Sequence, residues 1–177
     1  MVTDRNKVIT VDNSDTETGM MEKLEAHQSG VLHRAFSIFI LNDNEELLLQ
    51  QRADEKYHSG GLWTNTCCSH PMPGEATDNA AHRRLKEELG IETTLHHAFS
   101  FTYKADVGDG LTEHEFDHVY TGTYNGSCNP DPGEVKAYKY MGLTELTEWI
   151  QDEPAAFTTW MQIAFPLFQK YISQDKG

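Results

Sequence analysis

Between Trp63 and Ile91 the chain places a thiol, an imidazole and a helix of carboxylates and arginines in one stretch. It reads Trp63-Thr64-Asn65-Thr66-Cys67-Cys68-Ser69-His70-Pro71, then Glu75, then Arg83-Arg84-Leu85-Lys86-Glu87-Glu88-Leu89-Gly90-Ile91. Cys68 stands two residues before His70 and just ahead of a proline-glycine turn, a setting for a nucleophile or an acid/base with a lowered pKa. Cys67 and Cys68 read equally as small buried hydrophobes, and spacing alone favours that plainer role. His27, His33 and His70, with Glu113 and Glu115, are residue types that bind divalent transition metals. Their spacings carry no signature, and nine histidines make chance clusters easy. Singly, each histidine reads as a surface or satisfied interior group, and the glutamate pair as the wet face of a strand.

The elements that must position these residues can be read from the pattern. Residues 8–11 predict a short strand, followed by a polar turn over 13–19. Residues 32–41 and 46–52 predict strands joined as a hairpin by Asn42-Asp43-Asn44, and residues 54–61 a polar, glycine-ended loop. A helix is expected from about Asp78 to Gly90, whose missing Cβ suits the left-handed residue that ends helices. Its apolar stripe is Ala81, Leu85 and Leu89. At about 100° per residue Glu88 falls beside Ala81, with Arg84 one turn earlier on the same side. A carboxylate on the edge of the core wants an arginine, a metal or both. Residues 98–106 and 111–124 predict strands around Gly108-Asp109-Gly110, and alternation puts Glu113, Glu115 and Asp117 on one face. After a long turn over 125–133 come a strand over 135–141, a helix over about 145–151 and a last helix over about 158–172 interrupted by Pro166. The mixture is α/β in the loose sense, or α+β.

The totals bound the function. A chain of 177 residues fits one domain of ordinary size, residues 1–177, with one real core. A net charge of −14 argues against nucleic acid, whose partners cluster Lys and Arg. The charge is scattered, as on a solvated surface. Any anionic ligand must then rely on few basic residues. No apolar run approaches the roughly 20 residues of a membrane span, and the polar first six residues lack a signal-peptide centre, so a cytoplasmic protein is expected. Three cysteines, two adjacent, do not make a paired framework and suit a reducing compartment.

Residues 69–91 resemble the Nudix box, with Glu75 and the run from Arg83 to Ile91 in the family's spacing. Two positions depart from it: Ser69 replaces the box's glycine, and Arg84 the first glutamate of its helix. Exchanging a metal-binding carboxylate for a cation removes part of the cluster that hydrolytic members use to activate water. Those departures and the Trp63–Pro71 motif are similar to the type I isopentenyl-diphosphate isomerases. The likeness extends to Glu22-Lys23, Ala26-His27, Leu32-His33-Arg34-Ala35-Phe36, Arg52 with Lys56, Glu113-His114-Glu115 and Ala156-Phe157-Thr158-Thr159-Trp160-Met161.

That resemblance implies a Nudix-like α/β/α sandwich with a mixed sheet, and conversion of isopentenyl to dimethylallyl diphosphate by a 1,3 proton shift. It makes Cys68 and Glu115 the acid/base pair, Tyr103 the hydrogen-bond partner of Glu115, and Trp160 the aromatic face for a carbocation. From the bare sequence Trp160 would be ordinary helix packing. The resemblance also assigns a zinc or manganese ion to His27, His33, His70, Glu113 and Glu115, and a magnesium ion shared with the diphosphate to Glu88. Cys68 is counted among the metal-ligand candidates too. Lys23, Arg52, Lys56 and Arg84, with Ser69, would meet the diphosphate. No flavin or nucleotide is implied, and the expected form is a monomer or weak dimer. A hydrolase of small diphosphates and a binding module without turnover are the rival readings.

Overall fold

A computed structural model describes residues 4–175. Residues 1–3 of the polar amino terminus lie outside that range. The elements, in chain order, are β1 (Lys7–Val11), β2 (Glu17–Glu22), α1 (Lys23–Ser29), β3 (His33–Leu41), β4 (Glu46–Arg52), β5 (Trp63–Thr64), β6 (Cys67–Ser69) and α2 (Thr77–Leu89). They continue as β7 (His96–Gly108), β8 (Leu111–Thr123), β9 (Val135–Gly142), α3 (Leu143–Asp152), a 3-10 turn (Pro154–Ala156) and α4 (Thr159–Asp175).

Strand β3 is the hub: seven of its nine residues are buried, five of them apolar. It pairs antiparallel with β1, β4 and β6, and parallel with β8 from His33↔Glu115 to Leu41↔Thr123. The sheet is therefore mixed. Alternation along the strands splits the core in two. Phe36, Ile38, Ile40, Leu48 and Tyr120 face α2 through Ala80, Ala81, Leu85 and Leu89. Phe39, Leu47, Leu49 and Val119 face α3 and α4 through Leu146, Met161, Ala164, Phe165 and Phe168. The expected sandwich of helix, mixed sheet and helix is what forms.

Three expectations are corrected in detail. Asn42 does make the turn after β3, accepting at Oδ1 from the N–H groups of Asn44 and Glu46. However, β3 and β4 meet only at Leu41↔Leu47, since β6 and β8 already pair with β3, and β4 pairs with β9 from Glu46↔Gly142 to Arg52↔Val135. Helix α4 runs through Pro166 instead of breaking. Pro166 is exposed, so water can serve the carbonyl its ring leaves unbonded, while buried residues on both sides carry the helix across. The turn after β1 is tight, and the chain is already extended at Glu17.

Helix α2 ends as its sequence predicts. Gly90 has φ 69° and donates to Lys86 O at 2.9 Å. The next orphaned carbonyls, of Leu89 and Glu88, accept from Asn129 N and Asp131 N, each at 2.9 Å, so the long loop before β9 caps the helix. A Cβ on Gly90 would sit 3.0 Å from Asn129 Cβ. Gly90→Ala should lower unfolding free energy by about 1–3 kcal/mol, read as a reduced urea midpoint at unchanged slope; an unchanged midpoint would show that the cap tolerates a side chain.

Candidate active site

Strand β8 brings the decisive carboxylates inward. Its register against β3 and its own alternation bury Glu113, Glu115 and Asp117 on one face, overturning the default of a wet strand. His27 arrives on α1, His33 opens β3, and His70 follows β6. One ligand atom from each of His27, His33, His70, Glu113 and Glu115 lies within 4.8 Å of all the others. His27 and His33 are fully buried.

The donor set fits a divalent cation. His27 Nδ1 lies 2.5 Å from Lys23 O and His33 Nδ1 lies 2.8 Å from Val31 O. Carbonyls only accept, so both Nδ1 atoms carry the proton and the Nε2 lone pairs point into the cluster. There His27 Nε2 is 2.9 Å from Glu113 Oε2, His70 Nε2 is 2.9 Å from Glu115 Oε1, and His33 Nε2 is 3.2 Å from His70 Nε2. Burial drives His70 down to about 3, against the pull of Glu115, and so keeps the imidazole neutral. Burial pushes the His27 pKa down, but the adjoining Glu113 carboxylate more than offsets this and raises it, so a proton and a metal ion would compete for Nε2. Burial raises Glu113, and hydrogen bonds from His27 and His58 more than offset it, leaving the carboxylate well below its ordinary range.

Beside this cluster lie the other expected groups. Tyr103 Oη donates to Glu115 Oε2 at 2.8 Å. Cys68 is outside the metal cluster: its thiol donates to Asn65 Oδ1 at 2.8 Å and accepts from Trp160 Nε1 at 3.2 Å. Burial, then the nearby Asp117, push the thiol up to about 12, so it is protonated. The two cysteines point to opposite sides of β6. Cys67 Sγ packs in the α2 core, 3.4 Å from Glu88 Oε2, whereas Cys68 faces the cleft with Glu115, Tyr103 and Trp160. Trp160 is both packed in α4 and turned toward the site, with the Arg52 guanidinium 5.1 Å from its ring centre.

Lys23, Lys56, Ser69 and Arg84 line both this cleft and an adjoining recess of about 200 Å³. Arg52 lines the cleft alone. Arg5, Lys7 and Arg83 complete the recess, so six of the chain's 14 basic residues surround one opening in a protein of charge −14. Arg84 Nη2 reaches Glu88 Oε1 at 2.6 Å, the pairing expected of a carboxylate on the core edge, while its buried Nε has no partner among the described residues. Glu75 is occupied by Arg83 at 2.7 Å and by Met72 N at 2.9 Å, tying the loop to the helix.

Several groups here have no local signal in the sequence. Glu134 pairs with both Lys56 and Arg84. Gln50 donates to Glu88 Oε2 at 2.9 Å, and His58 lies 3.2 Å from Glu113 Oε1. Each contact joins distant segments of chain. Asn65 is different: it sits three residues before Cys68 in the quoted motif, where its hydrogen bond could have been suspected.

Comparison with known proteins agrees with the fold and narrows it. The NUDIX domain profile matches residues 31–161. Solved structures similar in shape include DR0079 from Deinococcus radiodurans, at TM-score 0.69 and 17% identity over 82% of this chain and 89% of that one. The MutT protein of Methanosarcina mazei Go1 gives TM-score 0.64 at 16% identity, over 82% and 96%. A protein named isopentenyl-diphosphate Delta-isomerase from Pectobacterium atrosepticum is 50% identical over 97% of this chain and 96% of its own. Another, isopentenyl-diphosphate Delta-isomerase 2 of Aromatoleum aromaticum, is 49% identical over 88% and 82%. The chain belongs, within the NUDIX fold, to the isopentenyl-diphosphate Delta-isomerase family.

If the five-residue cluster is a metal centre, His33→Ala should weaken retention of zinc or manganese by more than the roughly 10–100-fold that loss of an outer partner costs. Elemental analysis after dialysis reads this, and undiminished occupancy would remove His33 from the ligand set.

Proposed function

We propose that the chain, as one domain over residues 1–177, converts isopentenyl diphosphate to dimethylallyl diphosphate by a 1,3 proton shift. The observation that carries this is a single cleft holding two proton carriers, Cys68 and Glu115, an aromatic ring, Trp160, and a cationic mouth. The names of relatives about half identical over most of the chain support the same substrate.

The diphosphate is held by Lys23, Arg52, Lys56, Ser69 and Arg84, with Glu88 as the protein's ligand to a magnesium ion that travels with it. Arg84, Gln50 and Cys67 leave one lone pair free on the Glu88 carboxylate, at Oε1. His27, His33, His70, Glu113 and Glu115 would hold zinc or manganese, which would offset the cost of burying two carboxylates and make the Glu115 carboxyl more acidic. In this scheme two side chains carry both protons, and no task is assigned to a flavin.

An unactivated alkene is a weak base, so its proton must come from an acid held in contact, and closeness supplies much of the rate. One carrier delivers a proton to the terminal alkene carbon, and the other removes one from the methylene on the far side of the central, methyl-bearing carbon. Tyr103 steadies the Glu115 carboxylate as its proton leaves and returns. Trp160 Nε1 does the same for sulfur when the thiol gives up its proton, and Asn65 aims the S–H. Between the two transfers the substrate is a tertiary carbocation. The face of Trp160, which already lies against a guanidinium, suits a positive charge to the extent of about 0.5–2 kcal/mol.

Hydrolysis is the weaker reading, because Arg84 stands where the box has a carboxylate and engages Glu88. The three cysteines are free and no helix among the described residues is long and apolar enough to cross a membrane. The proposal includes a cytoplasmic location, which free cysteines suit, and a monomer or weak dimer. The test is formation of acid-labile allylic diphosphate by wild type, Cys68→Ala and Glu115→Gln. Each variant should lose about 10²–10⁴-fold in kcat while its thermal midpoint stays close to that of wild type. Near-normal turnover in either would refute the pair of carriers.

A further inference from the structure

His58 is a buried imidazole that neither the metal cluster nor the proton-transfer scheme uses. It lies on the loop between β4 and β5, is 6% exposed, and points its Nε2 at Glu113 Oε1, 3.2 Å away. The opposite oxygen of the same carboxylate, Oε2, is the one that His27 Nε2 meets at 2.9 Å inside the cluster. His58 Nδ1 lies 3.3 Å from the Ser59 hydroxyl. With that hydroxyl donating, Nε2 carries the ring proton and donates it to Glu113.

The loop is built to hold this orientation. Ser59 adopts φ 54°, an uncommon left-handed conformation for a residue with a Cβ. A Cβ on Gly60 would sit 2.4 Å from Asp54 O, so the loop closes on itself at a spacing only glycine permits. Arg52 Nε and Nη2 donate to the carbonyls of Ser59 and His58 at 3.2 and 3.3 Å. The His58 ring stands edge-on to Tyr57 and Trp160, at 4.5 and 5.8 Å between centres. One loop thus touches a candidate metal ligand through His58 and the cationic mouth through Arg52 and Lys56.

We propose that His58 is a positioning residue for the metal centre: it fixes the outer oxygen of Glu113, so that the inner oxygen faces the ion, and fastens the diphosphate-binding loop to the metal site. The inference rests on the metal-centre reading above. A ligating carboxylate free to rotate loses affinity, and outer hydrogen-bond partners typically account for 10–100-fold in metal binding.

The experiment is a zinc titration of the metal-free full chain against a chromophoric chelator, for wild type, His58→Ala and His58→Gln. Wild type should bind one ion tightly. His58→Ala should bind about 10–100-fold more weakly, and His58→Gln, whose amide keeps an N–H donor in similar volume, should stay near wild type. Wild type that binds no ion overturns the metal centre itself, and the role of His58 with it. Tight wild-type binding that is unchanged in His58→Ala overturns the role of His58 alone. Equal losses in both variants also overturn it, since filled space and not the hydrogen bond would then be what matters.

Discussion

Buried negative charge on one strand is the constraint that the rest of this molecule answers. Glu113, Glu115 and Asp117 are each at most 7% exposed, and an ionised carboxylate taken out of water costs several kcal/mol unless partners surround it. For Glu113 and Glu115 the partners are His27, His33, His58, His70 and Tyr103, brought from α1, β3, two loops and β7. Among the described residues Asp117 has only Ser37, whose hydroxyl donates to Oδ2 at 2.7 Å, and its buried Oδ1 has no partner there. Burial and the charge of Glu115 raise Asp117 well above its ordinary range, so of the three it holds a proton most readily. The strand therefore grades from two carboxylates with several partners at the cluster to a sparsely partnered one behind Cys68.

The mixed sheet turns this constraint into a division of labour. Parallel pairing of β8 with β3 sets His33 beside Glu115 and Ser37 beside Val119, while antiparallel pairing of β6 with β3 sets Cys68 opposite Ser37. A one-residue slip in either ladder would turn the chemistry to the wrong face. Adjacent cysteines thus have different fates: Cys67 belongs to the apolar side under α2, and Cys68 to the cleft under α4. Six basic groups are concentrated at the opening of a chain with a net charge of −14, and Arg84 there keeps a buried donor without a partner among the described residues.

Much of this was legible from residue order because it is periodic. The 3.6-residue repeat located α2, buried Glu88 and paired it with Arg84; alternation put Glu113, Glu115 and Asp117 on a common face. Periodicity shows that residues share a face but not what covers it, which is why β8 reads as wet although α1 and the loops carrying His58 and His70 lie over its carboxylates. The histidines needed the family resemblance, since 86 residues separate His27 from its partner Glu113 and no local rule joins them. His58, Gln50 and Glu134 escaped for the same reason. The turn at Asn42 was readable from its own hydrogen bonds, whereas the pairing of β4 with β9 was decided by competition for the edges of β3. Pro166 misled because helix-breaking is a local cost, and the buried stripe from Met161 to Phe168 outweighs it.

The central claim is that the cleft moves protons and leaves the diphosphate intact. Proton NMR of isopentenyl diphosphate in deuterated water, with the protein, magnesium and either zinc or manganese, addresses it directly. Dimethylallyl diphosphate carrying solvent deuterium is the predicted result. An alkene that remains unchanged while phosphate is released, or that remains unchanged altogether, would contradict the account.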